Sequence, residues 1–182
     1  MSWITGNSII SNVNAGKIKI EPFDKKQCNP NSYDYRLAPK LKTLIPNSTF
    51  KGKPCLDPRL EMKYEEVIIP ETGFLLETEK AYIGYTVEKF GSDHYASLVT
   101  GKSSIGRLFI NNHSVAGLVD QGFHGHITLE ITVKLPVLVF PNMRFGQIFW
   151  FTGEGDCALY NGKYNNDSNN GTMSKIMTDW SL

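Results

Sequence analysis

The sequence predicts a mainly β protein whose strands form a distorted β-sandwich or jelly roll. Period-2 alternation of apolar and polar residues dominates the chain. The alternating runs are short, and Pro, Gly, Asn and charged turns separate them at the spacing typical of sandwiches and jelly rolls. With 182 residues and 41% hydrophobic composition, the chain is long enough for one well-buried core. We therefore expect residues 1–182 to form a single domain.

Two short helices are predicted among the strands. Thr5 is placed to cap a helix through SIISNV, which Gly16 would end, and a second helix is predicted over SSIGRLFI, after Gly101. The predicted strands, in chain order, are KIKIEPF, YDYRL, VIIPETGFLLET, AYIGYTV, ASLVTG, HITLEITV, VLVF and GQIFWF. Residues 161–171 are too polar and Asn-rich to pack alone, so we expect a mobile C-terminal lid at about 160–182.

Composition and charge exclude several classes of partner. With nineteen basic and eighteen acidic residues, the chain lacks the excess of positive charge expected of a protein that binds nucleic acid or an anionic membrane. No apolar run is long enough to span a bilayer, and the first residues lack the basic and apolar regions of a signal peptide. A soluble, cytoplasmic protein is expected, and any phosphate it binds is held locally.

The cysteines and histidines do not form a metal-binding pattern. Cys28, Cys55 and Cys157 are odd in number and far apart, without a C-x-x-C pair, so neither a disulfide framework nor a structural zinc site is supported. His124 and His126 project to similar sides of a strand, but neither H-x-E nor P-C-x-x-C accompanies them. We expect no metal ligands among these side chains.

Residues 101–130 carry most of the functional signal. Gly101 permits a tight exit from a strand, and Lys102, Ser103, Ser104 and Arg107 then supply cations and hydroxyl donors suited to a di- or triphosphate. An ordinary Ser-capped surface helix with two solvated cations explains the same spacing equally well.

Two acidic residues follow in the same stretch. The strand HITLEITV alternates an apolar face with a polar face, and Glu130 belongs to the polar one. It is either a solvated strand residue or a proton-transfer group facing a cleft between subunits. Asp120 lies where a strand runs into a Gly turn, and its carboxylate has a simple alternative use in bonding the turn backbone.

Several ordered motifs resemble those of the dCTP deaminase family of the trimeric dUTPase superfamily. GKIKIEPF followed by NPNSYDYRL is similar to the family's opening segment. GKSSIGR resembles its phosphate motif, and AGLVDQGFHGHITLE resembles its motif for the base, the sugar and the catalytic acid. The likeness extends from the N-terminal helix to about Gly171 and implies a dUTPase-type fold.

The resemblance implies a division of work within the site. Lys102, Ser103 and Ser104 would contact the triphosphate, backbone around Ala116 and Val119 would bind the pyrimidine, and Asp120 would accept a hydrogen bond from the deoxyribose 3′-hydroxyl. The other motif positions that it places at the substrate are Ile105, Gly106, Arg107, Gly117, Thr128, Leu129, Glu130, Gln147, Tyr160 and Lys163.

The implied reaction is hydrolytic deamination of dCTP without zinc. Glu130 would take a proton from a water placed by Ser103, the hydroxide would attack C4 of cytosine, and Glu130 would return protons to the departing ammonia. Arg107 would support the site and orient these groups, and Asp120 would complete the catalytic set. Metal-dependent cytidine deaminases need the two signatures missing here, so Mg²⁺ would enter only with the triphosphate.

The family has a branch that stops at dUTP and a branch that also cleaves the triphosphate, giving dUMP for thymidylate synthesis. The small Ala116-Gly117 pair and Gln147 resemble the dUMP-forming branch. Val115 stands where the family usually has Thr, which leaves the choice of base open. Tyr160 and Lys163 resemble tail residues of the site but are closer together than usual, and NNDSNNG replaces the Gln-rich closing motif.

The resemblance also implies a homotrimer whose active sites lie between subunits. A closed cyclic assembly would cover Glu130 and Arg107 on faces that are exposed in one subunit. Three alternatives stay open at this point: a deaminase that stops at dUTP, a plain dUTPase, and a catalytically silent nucleotide-binding regulator.

Overall fold

Two antiparallel sheets form the framework of the computed structural model, which describes residues 2–165 and 171–180. The helices are α1 (Gly6–Asn14) and α2 (Ser103–Gly106), with 3₁₀ turns at Lys25–Gln27 and Ile176–Trp180. The strands are β1 (Lys19–Glu21), β2 (Tyr33–Arg36), β3 (Lys40–Ile45), β4 (Ser48–Phe50), β5 (Lys53–Cys55), β6 (Lys63–Ile68), β7 (Phe74–Leu76), β8 (Tyr82–Gly91), β9 (Ala96–Gly101), β10 (Ile110–Asn111), β11 (Leu118–Val119), β12 (His124–Val133), β13 (Val137–Val139) and β14 (Arg144–Phe151).

The strand order places the central motifs on both sheets. The larger sheet runs β10-β12-β8-β3-β6, with β1 also paired to β8, and the second sheet runs β11-β9-β14-β2. Two short pairs, β13-β7 and β4-β5, complete the described strands. Thus β9, which leads into the phosphate-like motif, and β12, which carries Glu130, belong to different sheets.

The mainly β prediction is confirmed, and so are both helices. Thr5 precedes α1, although its hydroxyl bonds Ser8 Oγ at 3.2 Å and caps no backbone group. Gly16 lies just beyond the helix with φ 69°, a left-handed conformation that glycine adopts without strain. The prediction over SSIGRLFI was too long, because α-helix is present only from Ser103 to Gly106.

The alternation along β12 is also confirmed. Ile127, Leu129, Ile131 and Val133 are exposed by only 5%, 0%, 0% and 4%. They join a core that includes Phe145, Ile148 and Trp150 from β14 of the other sheet. Because successive strand residues point to opposite faces, Thr128 and Glu130 lie on the face turned away from this core.

No helix in the part of the chain that the structure describes is both long and apolar enough to cross a membrane.

Leu129→Ala should destabilise the fold by about 2–5 kcal/mol, because it leaves a cavity where the two sheets pack. Leu138→Ala removes the same atoms from a side chain that is 52% exposed, and provides the matched control. Denaturant unfolding of both variants measures the difference. Equal losses of unfolding free energy would contradict the assignment of the core.

Candidate active site

A cavity of about 460 Å³ lies on the outer face of β12. Its size falls within the range of small-molecule sites, which is roughly 300–1,000 Å³. The walls come from β12, from the loop before β11 and from described parts of the tail. Six residues predicted from the sequence line it: Ala116, Val119, Asp120, Thr128, Glu130 and Tyr160.

Glu130 is held at the edge of this cavity by the loop between β10 and β11. Its carboxylate oxygen Oε2 accepts a hydrogen bond from the backbone N–H of Ser114 at 3.1 Å, and its backbone oxygen accepts one from Ser114 Oγ at 3.2 Å. The side chain is 35% exposed, so the carboxylate is neither fully solvated nor fully buried. A carboxylate fixed in this way can accept a proton from a ligand or a water in the cavity.

The loop that holds Glu130 is itself anchored at both ends. Asn112 is buried and donates from Nδ2 to Tyr35 Oη at 3.0 Å and to the carbonyl oxygen of Phe145 at 2.7 Å. At the other end, the backbone N–H of Val99 donates to the carbonyl oxygen of Gly117 at 2.8 Å. Strands β2, β14 and β9 of the second sheet therefore fix both ends of the loop, and Ser114 bonds its middle to β12 of the larger sheet.

Asp120 follows β11 and lies exposed on the cavity wall. Its backbone oxygen closes the turn by accepting the N–H of Phe123 at 3.2 Å, whereas within the described residues its carboxylate accepts no hydrogen bond. The turn thus forms without the carboxylate, which is free to accept a ligand hydroxyl.

The ammonium group of Lys102 forms an ion pair with a buried carboxylate. Its Nζ lies 2.5 Å from Asp34 Oδ2, and the Asp34 side chain is fully buried. Asn29 Nδ2 donates to the other oxygen of Asp34 at 2.7 Å, and Arg144 Nη1 lies 3.6 Å from Oδ2. Lys102 therefore neutralises a buried carboxylate, besides any contact it makes with phosphate.

The rest of the phosphate-like motif lies away from the Glu130 cavity. Ser103, Ser104 and Arg107 are exposed, and none of them lines it. Arg107 Nη1 donates to the carbonyl oxygen of Ser103 at 3.1 Å, and no carboxylate within the described residues pairs with its guanidinium. Within this motif, Ile105 is buried and Gly106 is exposed.

Gln147 supports the same motif from β14. Its Nε2 donates to the carbonyl oxygen of Gly101 at 3.0 Å, and its Oε1 accepts from Ser32 Oγ at 2.7 Å. Gln147 thereby ties β14 to the strand end that precedes Lys102. Leu129 is different, since its side chain is wholly in the core and only its backbone could contact a ligand.

The described tail folds back over the cavity. The backbone N–H of Tyr160 donates to the carbonyl oxygen of Gln121 at 2.7 Å, and Tyr164 and Met173 also line the wall. Lys163 does not line it, because its Nζ pairs with Asp179 at 2.6 Å, a bond that raises the pKa of Lys163 above its ordinary value. Residues 166–170, which include part of the predicted lid, lie outside the described residues.

Sequence reasoning missed one prominent residue of this cavity, His113. Its side chain is 6% exposed, and its Nδ1 lies 3.7 Å from Glu130 Oε2. The other two central histidines have partners: His124 Nε2 lies 2.9 Å from Asp93 Oδ1, and His126 Nδ1 lies 2.8 Å from the carbonyl oxygen of Thr86. Across residues 2–165 and 171–180, no group of three or more His, Cys, Asp or Glu is arranged to hold a metal ion.

Comparison with known proteins gives consistent matches. A family model described as dCTP deaminase-like matches residues 3–153. A protein named "dCTP deaminase, dUMP-forming" from Clostridium botulinum is 38% identical over 175 residues, which cover 96% of this chain and 95% of that protein. A protein of the same name from Cytophaga hutchinsonii is 43% identical over 148 residues, covering 81% of this chain and 82% of that protein.

A solved structure is similar in fold. The crystal structure of 2′-deoxycytidine 5′-triphosphate deaminase from Agrobacterium tumefaciens matches with a TM-score of 0.64 and 24% identity. The match covers 82% of this chain and 46% of that chain. This likeness supports the mainly β architecture described above.

Lys102→Met should lower the free energy of unfolding by about 1–3 kcal/mol, because buried Asp34 then loses its nearest cation. Arg144 and Asn29 still contact Asp34, which keeps the loss below that of an unpaired buried charge. Lys134→Met, at an exposed lysine after β12, is the matched control. Chemical denaturation compares the two, and equal stabilities would show that the ion pair contributes nothing.

Proposed function

The chain belongs to the dCTP deaminase-like family, as its motifs predicted, and on that premise we propose that it converts dCTP and two waters into dUMP, pyrophosphate and ammonia. It is an enzyme of the dUMP-forming type. The observation that carries the proposal is the placement of Glu130, a half-buried carboxylate held by the Ser114 N–H at the edge of a nucleoside-sized cavity.

We propose that Glu130 performs the proton transfers of deamination. One water loses a proton to its carboxylate, and the resulting hydroxide bonds to C4 of cytosine. Glu130 passes that proton to N3 of the base, then takes the proton of the new C4 hydroxyl and delivers it to the amino nitrogen. Collapse of the tetrahedral adduct breaks the bond from C4 to this nitrogen, and ammonia leaves. General acid–base transfer of this kind contributes roughly 10²–10⁴-fold to a rate, and positioning supplies much of the rest.

We assign the remaining predicted residues to the base, the sugar and the triphosphate of the same bound nucleotide. Backbone around Ala116 and Val119 binds the base, and Asp120, whose carboxylate accepts no other hydrogen bond among the described residues, accepts the 3′-hydroxyl. Ser103, Ser104 and Arg107 contact the triphosphate, with Lys102 beside them. The second water cleaves the bond between the α- and β-phosphates.

The metal enters, in this proposal, with the nucleotide. Mg²⁺ is commonly bound by substrate phosphates, waters and one or two carboxylates, and it would neutralise charge on the departing pyrophosphate. Among the described residues, no group of three or more His, Cys, Asp or Glu is arranged to hold a metal ion by itself. The sequence also lacks the H-x-E and P-C-x-x-C ligands of zinc deaminases, so we propose deamination without zinc.

A homotrimer with active sites between subunits would explain the split site, that is, the separation of the phosphate motif from the Glu130 cavity within one chain. Ser103, Ser104 and Arg107 do not line the cavity that contains Glu130 in the same chain. Four large apolar side chains of this region are strongly exposed: Leu108 at 47%, Phe109 at 60%, Val115 at 90% and Leu118 at 58%. An assembly that buries them would bring a neighbour's phosphate motif to each Glu130 cavity.

The purified enzyme given dCTP should release ammonia and pyrophosphate in equal amounts and form dUMP. Glu130→Gln should reduce deamination by at least ~10²-fold while nucleotide binding is largely retained, because the carboxylate acts on the transition state. A coupled ammonia assay, a pyrophosphate assay and calorimetric dCTP binding measure the three quantities. Release of ammonia with dUTP as the final product would assign the dUTP-forming reaction. Turnover of dUTP alone would indicate a plain dUTPase, and binding without turnover a silent regulator.

Complementation between inactive variants tests the split site directly. Glu130→Gln and Arg107→Ala chains should each be inactive alone, but their coexpression should restore about one quarter of wild-type activity if each site takes the two residues from different subunits of a closed ring. Coexpression of Glu130→Gln with Glu130→Ala is the control and should stay inactive. No recovery in the first pair, with mixed oligomers verified by mass spectrometry, would place both residues in one chain's site.

A further inference from the structure

His113 has an unusual environment for a buried histidine. Its side chain is 6% exposed, and both of its ring nitrogens lack a hydrogen-bond partner among the described residues. Leaving a buried polar atom unpaired costs about 1–3 kcal/mol, so native proteins usually pair such atoms. The ring also lines the cavity that contains Glu130. A polar side chain kept in this costly state at a ligand cavity needs a functional explanation.

The nearest candidate partner is the carboxylate of Glu130. His113 Nδ1 lies 3.7 Å from Glu130 Oε2, which is too long for a hydrogen bond but within reach after a small movement of either side chain. Both neighbours of His113 in the chain are fixed: Asn112 is bonded to the core, and Ser114 is bonded to Glu130. The loop therefore keeps the imidazole beside the carboxylate.

The other ionisable groups of the cavity do not compete for this position. His126 Nδ1 is paired with the carbonyl oxygen of Thr86, and the Asp120 carboxylate is exposed. Tyr160 and Tyr164 line the wall from the tail. Among the described residues, His113 provides the one basic side-chain nitrogen within 4.0 Å of the Glu130 carboxylate.

We propose that His113 is a positioning residue for Glu130. When a nucleotide occupies the cavity, His113 donates a hydrogen bond from its Nδ1 to Oε2 of Glu130. Oε2 of Glu130 then accepts two hydrogen bonds, one from His113 and one from the Ser114 N–H. The other carboxylate oxygen, Oε1, faces the reacting water. The inference rests on the proposed deamination, in which Glu130 accepts the proton of that water. Small misplacements of a general base cost up to about 10²-fold in rate, which explains the use of a buried histidine here.

Two isosteric substitutions separate donation from Nδ1 from mere filling of space. In His113→Asn the amide nitrogen takes the place of Nδ1, whereas in His113→Gln it lies near the place of Nε2. With dCTP, His113→Ala should lower kcat by about 10–100-fold with KM changed less than about threefold. His113→Asn should recover most of the loss in kcat, and His113→Gln should recover little. Thermal unfolding of all three variants shows whether the kinetic differences follow stability.

A second measurement does not depend on turnover. Long-range ¹H–¹⁵N spectra of the histidines, with the His113 signal assigned from its loss in His113→Asn, report which ring nitrogen carries the proton. With dUMP bound, His113 should be the Nδ1–H tautomer in the wild type, and Glu130→Ala should shift its Nδ1 signal. If wild-type enzyme did not deaminate dCTP, the proposed function would fail, but the spectra would still test the contact.

Several outcomes would overturn the role of His113. One is recovery by His113→Gln equal to or better than recovery by His113→Asn. Another is a loss in His113→Ala that appears only in KM or that follows the melting temperature. An unchanged His113 spectrum in Glu130→Ala with dUMP bound would show that the two side chains do not interact.

Discussion

The site depends on a single constraint, the register of β12 between the two sheets. One face of this strand supplies four core side chains, and the other presents Thr128 and Glu130 to the cavity. A shift by one residue would exchange the faces, so that Glu130 would enter the core and Leu129 would leave it. Burial of the apolar face therefore fixes the direction of the carboxylate. The pairing with β8 continues through Glu130 opposite Ile83 after an irregularity between His126 and Thr128.

Periodic features were predictable from the sequence, and long-range polar pairs were not. Alternation along β12 located both its core face and Glu130, because side-chain direction in a strand follows from position alone. The partner of Lys102 could not be located in this way. Asp34 lies 68 residues earlier, and its pairing arises only when β2 and β9 pack on either side of β14. His113 was missed because it lies in an irregular loop, where neither periodicity nor turn chemistry indicates burial.

The separation of the phosphate motif from the cavity has a topological cause. Lys102 to Arg107 follow β9 in one sheet, whereas Glu130 lies on β12 in the other. The loop after β10 lies between these regions. Its anchors, Asn112 and Gly117, bind it to the second sheet, and Ser114 bonds it to Glu130 of the larger sheet. Glu130 therefore stands beside a loop rather than beside the phosphate motif of its own chain. The sequence motifs predicted that all of these residues meet at one nucleotide, and the proposed assembly accounts for their separation by taking the phosphate motif from a second subunit.

Gly117, which resembles the dUMP-forming branch of the family, also has a structural cause. A Cβ at this position would lie 2.9 Å from the carbonyl oxygen of Val99, closer than real Cβ atoms approach a backbone oxygen. Close approach of this loop to β9 thus requires glycine in the conformation observed. The side chain of Leu98 is the next neighbour, with Cγ at 3.7 Å, and the ring of His113 follows, with Cδ2 3.9 Å from that Cβ position. A larger residue would push the loop away from β9 and carry His113 and Ser114 with it. The identity of residue 117 therefore acts on the position of the Glu130 carboxylate through the loop, whatever it contributes at the phosphates.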